Sequence, residues 1–167
     1  VPVVGTQVQI PQKPAGEACS AAICTIKPEL IPQYEKMVQS LNAAGIPSSE
    51  FWFTELFPPT RPHDNPCHLN GTCSDFNLKP GFNLEANDSA QVKQEKLLKM
   101  ATMAKITEQN TDQRLVWEFK NQATVNAYKA AALKVGISPL TQKVSGIEGT
   151  SHASVYRKQN VPTAAGL

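Results

Sequence analysis

Between Pro58 and Asp75 the chain reads PPTRPHDNPCHLNGTCSD, a stretch that strongly restricts how its neighbours can fold. Pro58, Pro59, Pro62 and Pro66 lack a backbone donor, so residues 58–67 cannot join a regular ladder and form a stiff loop. The segment ahead of it, Phe51 to Phe57 (FWFTELF), is aromatic and bounded by turn signals, which predicts a strand. Glu55 is expected there at a solvated strand position. Behind the loop, Thr72 to Leu78 predicts a second strand. The loop therefore brings Arg61 and His63 close to His68. Loops held on a scaffold often carry function, although Arg61 and His63 equally suit an exposed loop with no role.

His68 and Asp75 close this stretch with a glycine and small residues between them. Imidazole and carboxylate are both good zinc ligands, and Gly71 lets the backbone turn tightly enough for both to face one site. Asp75 sits beside Phe76 and Leu78, so it belongs on a half-buried strand. A charge there is costly unless something pairs with it, and a metal ion would. The alternative is a structural His–Asp hydrogen bond that pins the turn.

The four cysteines form two tight pairs in sequence, Cys19/Cys24 and Cys67/Cys73. Three pairings are possible in principle. Local pairing is the economical one, and it points to an oxidising compartment, with the chain secreted, periplasmic or at the cell surface. A Cys67–Cys73 bridge would clamp the loop that carries His68.

At 167 residues the chain suits one domain with a real core. Its formal charge is only +2, from 16 basic and 14 acidic residues, and it has no Lys/Arg block. Nucleic acid is therefore a poor partner. No apolar run approaches a membrane span. The first residue is Val1, so the chain is expected to be processed or part of a longer product, with other modules as partners. Residues 1–27, with Pro2, Pro11 and Pro14, read as an extended lead-in or linker. The domain proper is expected over 28–158, with a flexible tail over 159–167.

Within the domain, Leu30, Ile31, Tyr34, Met37, Val38 and Leu41 recur at helical spacing, predicting a helix over 28–44. A second helix is expected over 89–107, and an alanine-rich third over 121–135, closed by Gly136. Leu115 to Phe119 (LVWEF) predicts a short apolar strand carrying Glu118. Lys143 to Ile147 suits a strand, Glu148-Gly149 a turn, and Ala153 to Tyr156 a last strand led by His152. Helices mixed with strands, without regular alternation, indicate an α+β fold: a small antiparallel sheet covered by about three helices, with the metal site on the sheet.

The chain holds only three histidines, His63, His68 and His152. A catalytic zinc site needs three protein ligands and an open position for water, and His68, Asp75 and His152 would supply them. A carboxylate nearby would accept the water's proton; Glu148 and Glu118 are the two candidates. Arg61 could hold a substrate carboxylate by a two-pronged hydrogen bond.

His68, Gly71, Cys73 and Asp75 follow the pattern His-x-x-Gly-x-Ala-x-Asp, with cysteine in the alanine place. In this, and in the closing stretch SHASVYR, the sequence resembles the zinc D-alanyl-D-alanine carboxypeptidases and dipeptidases. Phage peptidoglycan endopeptidases and the hedgehog signalling domain share that family's fold. The order of helix, strand, proline loop and motif is also similar, and the resemblance covers about residues 28–157. It implies zinc held by His68, Asp75 and His152, and hydrolysis of peptidoglycan stem peptides. The family shows Glu-x-x-His or His-x-His near its end; here Glu148 lies four residues before His152, and Ser154 stands where a second histidine would. The serine two places before the first histidine is Pro66. A catalytically inactive relative serving as a binding or structural module is the alternative. A third reading is a metal-free extracellular domain with two local disulfides.

Overall fold

The computed structural model describes residues 10–14, 16–63, 65–144 and 152–166. Three α-helices, α1 (Ile31–Ala43), α2 (Ala90–Asn110) and α3 (Gln122–Val135), accompany five strands. The strands are β1 (Phe51–Thr54), β2 (Ser74–Leu78), β3 (Gln113–Phe119), β4 (Thr141–Lys143) and β5 (His152–Arg157). They form one open sheet in the order β1-β2-β5-β3-β4. The fold is α+β, as the sequence predicts.

The sheet is mixed rather than purely antiparallel. β3 pairs parallel with β4, while every other pairing is antiparallel. The reason is the connection: α3 runs from the end of β3 back to the start of β4, and a helical crossover returns the chain in its original direction. The strand expected over 143–147 begins earlier, at Thr141; residues 145–147 and the Glu148-Gly149 turn lie outside the described residues.

Each helix starts and stops where its sequence dictates. Pro28 opens a 3-10 turn and Pro32 sits in the first turn of α1, where a missing N–H costs nothing. Ser89 caps α2 by accepting from the Val92 N–H, and Asn121 caps α3 by accepting from the Thr124 N–H. Gly136 ends α3 in the left-handed conformation, φ 84°.

The alternation of the strands separates two faces. One carries Phe51, Phe53, Phe76, Leu115, Trp117, Phe119, Ala153 and Val155, all buried under the helices. Tyr34 of α1 lies 5.3 Å from Phe53, Trp117 donates its indole N–H to Met100 O of α2 at 2.8 Å, and Phe119 meets Tyr128 of α3 at 5.4 Å. Each such aromatic burial stabilises the fold by roughly 1.5–3 kcal/mol.

The other face carries the polar residues. Register places Trp52, Asn77, His152, Glu118 and Gln142 in one row across the sheet, and Thr54, Asp75, Ser154 and Val116 in the next. None of the three α-helices lines the cleft on this face; loops and the terminal 3-10 turns pack there instead. The Cys67–Cys73 disulfide packs with Val116, Tyr156 and Ala165 in a small cluster there. Ala165 belongs to the terminal segment, which continues from Lys158 in two short 3-10 turns.

The described part of the N-terminal segment also lies on the domain. Phe53 N donates to Pro11 O, Leu56 N to Ala18 O, and Thr25 and Phe57 exchange a pair of backbone bonds at 2.9 Å. Ala18, the Cys19–Cys24 disulfide and Ile26 are buried against the core.

Candidate metal centre on the open face of the sheet

The site is built from the loop after β1 and from the polar face of the sheet. β1 ends at Thr54, earlier than expected, because Glu55 adopts a left-handed backbone, φ 51°. That conformation is uncommon for a residue with a β-carbon and turns the chain out of the ladder. Glu55 is not a solvated strand position: it is buried, at 5% exposure. Its carboxylate accepts from Thr60, by both backbone N–H and hydroxyl, and from His63 Nε2 at 2.5 Å.

The proline loop then descends to the 3-10 turn Pro66–His68. Asn65 caps that turn by accepting from the Cys67 N–H at 3.0 Å. Gly71 takes a left-handed φ of 67°, Thr72 N returns to Cys67 O, and the disulfide to Cys73 closes the loop. His68 is thereby fixed over β2. Its Nδ1–H donates to the carbonyl of Glu55 at 3.1 Å, so Nε2 is the nitrogen turned to the sheet.

Asp75 and His152 come from adjacent strands of the same face. The Nδ1–H of His152 donates to Asn77 Oδ1 at 3.0 Å, across the β2–β5 register. Its Nε2 lies 3.6 Å from Asp75 Oδ1, and His68 Nε2 lies 3.6 Å from the same oxygen. The structure thus brings together His68, Asp75 and His152 from distant parts of the chain. Glu118 Oε1 lies 3.3 Å from His152 Nε2. Ser154 donates to Glu118 Oε1 at 3.1 Å and lies 3.5 Å from Asp75 Oδ1. Arg61 lines a cleft of about 300 Å³ over the group. Glu148 lies outside the described residues.

Two residues of the site are not singled out by the sequence as participants in it: Glu55 and Asn77. Their signals are positional. Asn77 is two residues from Asp75 and so shares its face, and Glu55 immediately follows the last residue of β1.

Among the described residues, the buried acidic and histidine side chains are Glu55, His68, Asp75, Glu118 and His152, and all five meet here. Charged groups clustered out of water in a cleft are the physical signature of a candidate functional site. Burial holds the His68 imidazole below its ordinary value of 6.5, against the opposing pull of Asp75. Burial works to raise Asp75, but the contact with His152 and the charges of His152, His68 and His63 outweigh it, and its carboxyl lies below the ordinary 3.8. At neutral pH His68 is therefore a neutral imidazole facing a carboxylate.

Each imidazole-to-carboxylate contact has a length that a bridging cation would give. With Nδ1–H committed to an acceptor, each Nε2 of His68 and His152 presents a lone pair toward an oxygen that also offers lone pairs. At 3.6 Å these contacts are too long for hydrogen bonds. Two ligands each about 2 Å from an ion at the tetrahedral angle lie roughly 3.3–3.5 Å apart, close to the separation of each imidazole from Asp75. The hydrogen bonds behind the imidazoles, to a carbonyl and an amide oxygen, are the outer partners that metal-bound histidines use. The acidic and histidine donor atoms that all lie within 4.8 Å of one another are those of His63, His68 and Asp75; His152 approaches this group through Asp75. Cys67 and Cys73, adjacent to His68, are bonded to each other and offer no thiolate.

The site is that of an α+β domain able to hold a metal ion in a cleft on the polar, loop-covered face of its sheet. No protein-family model, curated protein or solved structure matches the chain, so its function is inferred from its own residues.

Proposed function

We propose that the protein is a zinc-dependent peptide hydrolase of the D-alanyl-D-alanine carboxypeptidase type, acting on peptidoglycan stem peptides outside the cytoplasm. The observation that carries this reading is the pair of imidazoles, each oriented from behind, whose Nε2 atoms face one carboxylate oxygen at 3.6 Å. His68, Asp75 and His152 would hold the ion, the ligand set that suits hydrolytic zinc. When bound, zinc lowers the pKa of a water and polarises a carbonyl.

The remaining chemistry falls to the chain. Glu118 is positioned by the Ser154 hydroxyl beside His152, where it would accept the proton of the attacking water. Glu148 is the other carboxylate suited to this role by its place in the sequence. Arg61, at the rim of the cleft, would pair with the substrate's terminal carboxylate through two parallel hydrogen bonds. Two formed disulfides suit an oxidising compartment, and no described helix is long and apolar enough to cross a membrane.

The test is release of D-alanine from a stem pentapeptide ending in D-Ala-D-Ala by zinc-loaded protein, with Glu118→Gln and Glu148→Gln in parallel. Activity lost in one of the two variants, with zinc retained, assigns the base. The bond between Ser154 and Glu118 favours a second reading, because it occupies an oxygen that a base needs free: a metal-binding relative without turnover, serving as a binding module. Stoichiometric zinc with no hydrolysis by the wild-type protein would select it.

A further inference from the structure

We infer that Lys13 is a substrate-binding residue of the cleft: with Arg61, its ammonium holds the terminal carboxylate of a peptide whose last amide lies at the metal. This rests on the peptidase reading above and brings into its site a residue outside the domain that the sequence predicts, 28–158.

The polar face of the sheet carries a second hollow, of about 340 Å³, beside the cleft over His68. The two share Arg61, Asp75 and His152. Asp75 and His152 therefore stand where the hollows meet, and a ligand placed across them enters both. The second hollow is bounded by Thr54 and Asn77 of the sheet and by Lys13 and Glu17 of the N-terminal segment.

That N-terminal wall is fixed to the sheet. Phe53 N donates to Pro11 O at 2.9 Å and Lys13 N to Phe53 O at 3.2 Å, so Gln12 forms a parallel bridge on the edge of β1. The Thr54 hydroxyl donates to Glu17 O at 2.7 Å, and the Cys19–Cys24 disulfide just beyond is buried. A side chain anchored in this way costs little backbone freedom when it takes a ligand.

The Lys13 ammonium lies over the Trp52 ring, 5.6 Å from its centroid, and pairs with no carboxylate among the described residues. Trp52 begins the row that continues through Asn77 to His152. Two strand spacings, about 10 Å, separate the ends of that row, the scale of a dipeptide with a contact at each end. A carbonyl at the ion thus leaves the carboxylate of the next residue facing Lys13 and Arg61. The acids of the hollow are engaged elsewhere or hydrated. Asp75 faces the imidazoles, and Glu55 accepts from Thr60 and His63. Glu17 is exposed, where water and salt screen its charge. A free chain end satisfies both cations and a capped one does not, so this hollow selects exopeptidase over endopeptidase substrates.

The test measures binding to the zinc-loaded full chain by titration calorimetry. The probes are a D-Ala-D-Ala analogue with a phosphinate in place of the scissile amide, and its C-terminal carboxamide. Wild type is compared with Lys13→Met and with Lys79→Met, which removes the other ammonium over Trp52 but none from the hollow; circular dichroism checks folding. Wild type should prefer the acid. Lys13→Met should lose at least about 10-fold in affinity for the acid, with its affinity for the carboxamide and for zinc unchanged, and Lys79→Met should match wild type throughout. Acid affinity unchanged in folded Lys13→Met overturns the inference. So does an equal loss for acid and carboxamide, an equal loss in Lys79→Met, or no binding of either probe by wild type. Acid preference that depends on Lys13 but not on zinc would instead remove the hydrolase reading and leave the carboxylate subsite standing.

Discussion

Replacing Asp75 by asparagine separates a metal site from a buried ion pair. In the metal account, the Nε2 lone pairs of His68 and His152 face the Asp75 oxygen at 3.6 Å, with His152 Nε2 also 3.3 Å from Glu118 Oε1. The amide introduced by Asp75→Asn would present N–H donors to those lone pairs, so the metal-free variant at pH 8 should unfold within about 1 kcal/mol of wild type, on the scale of one net hydrogen bond. Zinc reverses the comparison. At free zinc a thousandfold above its dissociation constant, wild type gains about 4 kcal/mol. For a chain of this size that corresponds to a rise in Tm of about 8–16 °C. The variant, lacking the only anionic member of the three-ligand set, should show little of that rise. Thermal unfolding followed by circular dichroism, with chelator and with zinc, gives both numbers. Equal zinc shifts in the two proteins would refute the metal assignment. A metal-free Asp75→Asn protein destabilised by about 3–5 kcal/mol would also refute it, because that is the cost of breaking a buried charge pair.

Other expectations follow from the same geometry. Asn77→Leu removes the acceptor behind His152 and should weaken zinc binding about 10- to 100-fold in a competition titration, with the fold retained. Cys67→Ser with Cys73→Ser opens a loop of sequence separation 6 and should cost about 2 kcal/mol in denaturant unfolding, together with a loss of zinc affinity as His68 is released. Acid should destabilise the metal-free protein in two stages. The folded His68 value lies below 6.5, so its contribution is complete above that pH and is lost as pH falls through the folded value. The folded Asp75 value lies below 3.8, which adds a second loss under that pH. Stability that rose on acidification from pH 7 to 5 would contradict this sign.

The part of the site legible in the sequence is the part encoded by short spacing. His68 and Asp75 are linked by one tight turn, so local chemistry suffices to pair them, and the adjacent cysteines make the clamp visible. The three helices announce themselves through apolar periodicity and caps such as Ser89 and Asn121. His152 is reachable only by elimination among three histidines and by resemblance, because nothing local says that β5 inserts between β2 and β3. Asn77 becomes a partner of His152 only through that register. Glu55 reads as a solvated strand residue because a left-handed turn at a glutamate leaves no compositional trace. The N-terminal segment reads as a linker from its prolines. Its backbone bonds to Phe53, Leu56 and Phe57 depend on an edge of β1 that no sequence window displays.

The most direct test of the central claim is elemental analysis of the purified chain after dialysis against dilute zinc and then metal-free buffer. About one zinc per chain in wild type, lost in His68→Gln and in His152→Gln while both variants stay folded, is the predicted result. Wild-type protein without metal, or variants that retain as much as wild type, would contradict it.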